Sequence, residues 1–174
     1  TTFATAFKTC SIITAIPMDL FRYNTLVTTF STIFDFCYLL ASIPVDLFRY
    51  NTLVTTFTMA FMNCTALATI PADLFKYNTL ALDFSYTFYN CPKAHFNIDV
   101  FYAIGESGTR FLNKSVTFNS CFYRTTFTGT QGTAPDLWLC NFGTGTPTKT
   151  GCFGGAGNSL TSLTNYASIT ADWK

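Results

Sequence analysis

Phenylalanine recurs along this chain in pairs four residues apart, and the pairs recur every 27 residues. Phe3, Phe30, Phe57 and Phe84 form one series, and Phe7, Phe34, Phe61 and Phe88 the other. Cys10, Cys37, Cys64 and Cys91 keep the same interval, as do Asn24, Asn51 and Asn78. The unit reads F-x3-F-x2-C-x2-[LI]-x2-I-P-x2-L-F-x-Y-N-T-L, and DLFRYNTLVTTF occurs unchanged at 19–30 and 46–57. A fixed period in this range predicts one coil per repeat. A single coil cannot bury its own apolar side, whereas stacked coils set each Phe, Cys or Leu on its equivalent.

The pattern predicts an α/β solenoid, a right-handed stack of 27-residue coils with short parallel strands and short helical turns. The L-x-x-I-P stretches at 13–17, 40–44 and 67–71 read as strands that proline ends, since it lacks an amide hydrogen. Residues 18–23 read as a helical turn started by aspartate. The β-branched run 52–57 reads as a second extended segment, and 57–63 as another helical turn. The columns Phe7/Phe34/Phe61/Phe88, Cys10/Cys37/Cys64/Cys91 and Asn24/Asn51/Asn78 are the expected core ladders. Each Asn is expected to bond the backbone of the adjacent coil at a turn.

The units CSIITAIPMDLF, CYLLASIPVDLF and CTALATIPADLF, each preceded by F-x3-F, resemble BspA-type leucine-rich repeats of bacterial and protist surface proteins. The resemblance spans about residues 1–101 and departs in having Pro where many relatives place another strand residue. It implies a leucine-rich-repeat fold and a role like that of adhesins or virion-associated surface proteins.

The fourth unit frays after Cys91, and a weaker echo lies at 116–121. Beyond 101 the chain turns to Gly, Thr, Ser and Asn. The expected organisation is therefore a solenoid over 1–101 and a C-terminal capping region over 102–174, continuous with it. APDLW at 134–138 reads as a short helix start. Thr1 aligns with Thr28, inside a unit, so a processed or truncated chain is expected.

Composition narrows the function. Hydrophobic residues make up 49% and charged residues only 11%, against about a quarter in ordinary soluble domains. With 20 Phe and 2 Trp, the aromatics belong to a repetitive core. A net charge of +1 excludes the basic footprint of a nucleic-acid binder. No apolar run approaches the roughly 18 residues that span a bilayer.

Candidate chemistry is sparse. The cysteines lack the C-x2-C pairing of zinc sites. They read as buried free thiols, with a cross-coil disulfide stack as the alternative and Cys140–Cys152 as the best single pairing. His95, the one histidine, has no nucleophile or carboxylate arranged beside it. Asp19, Asp46 and Asp73, two residues after proline, read as caps of the helical turns. Arg22, Arg49 and Lys76 follow three residues later, placed to pair with them. With Tyr23, Tyr50 and Tyr77 beside them, they form the candidate ligand face. Asn63 and Asn113 begin glycosylation sequons. No catalytic residue, cofactor or metal is expected. The expected function is a non-enzymatic adhesion or recognition module outside the cell or on a virion, binding a protein or glycan. The alternative is a structural subunit of an appendage or filament, stacked through its solenoid ends.

Overall fold

The computed structural model describes residues 1–101, 108–124, 131–154 and 161–174. Residue 102, where the composition changes, lies outside them, as do parts of the glycine-rich run 151–159 and of the tail.

The expected α/β solenoid of repeated strands and helical turns is corrected. Among the described residues no α-helix and no multi-residue strand forms. The regular elements there are three 3-10 helices of three residues each, Leu137–Leu139, Tyr166–Ser168 and Ala171–Trp173. Coils are instead joined by isolated parallel bridges. One column runs Thr2, Thr29, Thr56, Asp83, Thr117, Thr148. In a second, Ser42 pairs with Thr69 and Thr69 with His95, and Phe96 pairs with Gly132. The segments 13–17, 40–44, 67–71 and 52–57 thus contribute at most a single bridge each, and 18–23 and 57–63 are strings of tight turns.

The reason lies in how the F-x3-F segment uses its amides. N–H groups of Phe30, Thr32, Phe34 and Phe36 donate to Thr56, Thr58, Ala60 and Met62 of the next coil. The intervening Ile33, Asp35 and Cys37 N–H groups donate three residues back, to Phe30, Thr32 and Phe34. Every second amide therefore bonds between coils and the others close turns, so the backbone is satisfied without a ladder. Thr32 and Phe36 sit at φ 54° and 60°, and Met59, Asn63, Tyr86 and Asn90 repeat this. A left-handed residue every four positions interrupts both strand and helix, and turns both Phe side chains of a pair inward.

The core is built from ring columns. Phe34 and Phe61 lie 5.5 Å apart at 13°, and Phe61 and Phe88 5.6 Å apart at 4°. Phe30, Phe57 and Phe84 stack at about 6 Å. Phe48 wedges between the columns, 4.8 Å from both Phe30 and Phe57. These separations fall in the offset-stacked range.

The columns continue past residue 101. Phe84 stacks on Phe118, Phe88 on Phe122, and Phe122 on Phe153 at 5.3 Å. In the first bridge column the spacing holds at 27 as far as Asp83, then becomes 34 and 31. Gly132 has φ +75°, and a Cβ there would sit 2.3 Å from the Phe96 carbonyl oxygen, so only glycine admits that bridge. At the far end Trp173, 2% exposed, lies against Phe118, Phe142 and Phe153. In the first coil Phe3, Phe7 and Cys10 are only partly buried.

Candidate functional site: a tyrosine and charge ladder

The turn after each proline places the expected ligand-face residues. Leu47 N–H donates to the Pro44 carbonyl, and Arg49 N–H to that of Asp46. Asp46 and Asp73 adopt φ 62° and 56°, which a short polar side chain tolerates better than most. No helix is there, so the expectation of aspartate helix caps is corrected. The carboxylates pair instead with the cation three residues on: Asp19 with Arg22, Asp46 with Arg49 and Asp73 with Lys76, at 3.8, 3.6 and 3.5 Å.

Each arginine also reaches along the stack. The Arg22 guanidinium lies 5.6 Å from the Tyr23 ring centre and 5.7 Å from that of Tyr50. Arg49 lies 5.8 Å from Tyr50 and 5.4 Å from Tyr77, and Lys76 covers Tyr77 at 5.9 Å. The structure thus brings all six expected residues together as alternating cations and rings. Tyr23 is 87% and Tyr50 41% exposed. A shallow groove between the first two turns is walled by Met18, Val45, Arg22 and Arg49.

The asparagines lie at the back of this face. Asn51 Nδ2 donates to the carbonyls of Phe21 and Asn24, at 3.1 and 3.0 Å. Asn78 repeats this onto Phe48 and Asn51. Both are fully buried. In the next coil Arg110, 3% exposed, takes over: its guanidinium donates to the carbonyls of Phe75, Lys76 and Asn78. Nothing in the 27-residue spacing marks Arg110, because that coil is longer. Arg124 is likewise buried, its Nη2 donating to Ala94 and its guanidinium 4.0 Å over Phe96. Burial pulls its pKa down to about 10.

All seven cysteines are free, which corrects the Cys140–Cys152 pairing. Cys152 has Cys121 as its titrating neighbour, and Cys140 has Arg110 and Asp136 as its charged ones. In the expected column, the thiols of Cys37, Cys64 and Cys91 donate to the carbonyls of Phe7, Phe34 and Phe61. Burial pushes Cys37 and Cys140 up to about 11 and Cys91 to about 12, and raises Cys64, Cys121 and Cys152 as well. Only thiolates react readily. A soluble thiol reagent at about pH 8 is therefore expected to label Cys10 alone in the folded protein, and seven thiols after denaturation. Rapid labelling of two or more in the folded state would contradict the buried column.

His95 is exposed and serves through its backbone, donating to the Ala68 carbonyl. Asn63 is 8% exposed, with its Oδ1 accepting from Asn90, whereas Asn113 is exposed. Among the described residues no three His, Cys, Asp or Glu side chains gather as a metal site. None of the described helices is long and apolar enough to cross a membrane. No family model matches the chain, and neither the curated proteins nor the solved structures contain a match.

Proposed function

We propose that this protein is a non-enzymatic recognition module whose Tyr/Arg ladder binds an extended glycan on a cell or virion surface. The supporting observation is the alternation of cations and rings, once per coil, along the exposed Tyr23 and Tyr50 and the half-buried Tyr77. Ring faces offer platforms for the C–H faces of sugars. The Asp–Arg pairs offer fixed acceptors and donors for hydroxyl groups. Because the Tyr50 and Tyr77 rings each lie between two cations, little of their side-chain freedom is lost on binding. The charges of the ladder cancel in pairs, so recognition rests on stacking and hydrogen bonding more than on net charge.

The test is a glycan array followed by titration of the best long-chain ligand. Tyr50→Ala is expected to weaken binding about tenfold, with Tyr50→Phe close to wild type. A wild-type protein silent across the array, or Tyr50→Ala binding equally well, would refute the proposal.

A further inference from the structure

Beyond the ladder, the C-terminal coils form an open cleft of about 490 Å³. That is within the size range of small-molecule sites and ample for two or three sugar rings. Ile98, Trp138 and Leu139 supply its apolar wall, and Thr133, Asp136 and Asn165 its polar side. Trp138 is half-buried and stands edge-on to Phe153, 6.0 Å away at 81°, which fixes the indole plane. Leu139 is 63% exposed, a large apolar side chain left beside that ring.

The polar side is rigid before any ligand arrives. Asn165 Nδ2 donates to the Ala134 carbonyl and to Asp136 Oδ1, both at 2.9 Å. Asn165 Oδ1 accepts the Ala134 N–H at 3.0 Å. The Thr133 and Thr164 hydroxyls lie 2.7 Å apart. Burial lifts the Asp136 carboxyl above its ordinary value, with Asn165 acting the other way. An indole with an accessible face beside an oriented carboxylate and hydroxyls matches one ligand chemistry in particular. Pyranose rings have an apolar C–H face and a rim of hydroxyls. A purely aliphatic ligand would take water from the carboxylate, which Asn165 alone would then hold, and an anion would meet it with like charge.

We infer that this cleft is a second binding site, for a short neutral oligosaccharide, with Trp138 as the stacking platform and Asp136 as the hydroxyl acceptor. The site shares no residue with the ladder, and it binds whether or not the ladder does.

The test uses the full chain and three probes, the neutral trisaccharides of glucose, mannose and N-acetylglucosamine, followed by calorimetry and tryptophan fluorescence. At least one is expected to bind saturably, with an affinity unchanged between low and high salt. Trp138→Ala is expected to lower that affinity at least about tenfold and Asp136→Asn about threefold to tenfold. Trp138→Phe, which keeps a ring, stays nearer wild type, and Tyr50→Ala, in the ladder, leaves the affinity unchanged. Thermal melts establish that each variant is folded, and if Trp138→Ala is not, Asp136→Asn and Trp138→Phe decide the matter. No saturable binding of any probe overturns the inference. So does a folded Trp138→Ala that binds as well as wild type. Loss of binding in Tyr50→Ala with Trp138→Ala unaffected assigns the sugar to the ladder and equally overturns the cleft.

Discussion

Asn51→Asp is expected to be among the most destabilising single changes in this protein, although it replaces one atom. Asn51 is fully buried and donates through Nδ2 to two carbonyl oxygens of the preceding coil, Phe21 and Asn24. A carboxylate cannot donate. It would set its charge against the oxygens that the amide now holds. Removing one side of a buried, charge-bearing arrangement typically costs about 3–5 kcal/mol, and a comparable loss is expected here at neutral pH. Asn51→Leu, which loses both hydrogen bonds without adding charge, is expected to cost about 2–3 kcal/mol. The two variants separate by pH. Burial raises the folded-state pKa of the introduced carboxyl above its unfolded value of about 4, so the folded state binds the extra proton. Stability of the variant then falls as pH rises from the unfolded value through the folded one, and is best preserved in acid. The leucine variant lacks this slope. Denaturant melts of both at several pH values check the result. An aspartate variant as stable as wild type at neutral pH would show that the asparagine ladder does not hold the coils together.

Phe61→Ala is expected to cost about 3–5 kcal/mol, the usual range for deleting a buried aromatic ring. Phe61 stacks between Phe34 and Phe88 and also meets Phe48 at 6.1 Å. The cavity has rings on three sides, and those rings are fixed by their own coils, so it cannot collapse. Phe7, its equivalent in the first coil, is only partly buried and stacks on Phe34 alone within that column. Phe7→Ala is therefore expected to cost about 1–2 kcal/mol. Equal losses at the two positions would contradict the stacked-column core.

The columns were legible because identical environments demand identical side chains. Phe34 and Phe61, or Asn51 and Asn78, recur at 27 since each must meet its own copy. The local conformation was not legible. Phe57 and Phe61 have helical spacing, yet 58–63 is a run of turns, and L-x-x-I-P has the look of a strand end, yet it makes at most a single bridge. Left-handed Thr32, Phe36 and Met59 run against ordinary turn preferences, where glycine or asparagine is favoured. Local sequence does not select those angles; the amides bonded to the next coil do. The ladder face was found from Asp46, Arg49 and Tyr50, but the reach of Arg49 to Tyr77 depends on coil stacking. The cleft was missed because Asp136 and Asn165 lie 29 residues apart in coils whose length departs from 27.

The amino-acid sequence thus determined which side chains lie on which, through the demand that like sit on like at a constant interval. Only the tertiary structure decided that bridges and turns replace strands and helices. It also extended the columns through the longer coils to Phe118, Phe122 and Phe153, and put Arg110 in the place of an asparagine. The physical reason is that hydrogen bonds between coils link residues 20 or more apart in sequence. No local propensity reports them, and they override the preferences that a single coil would express on its own.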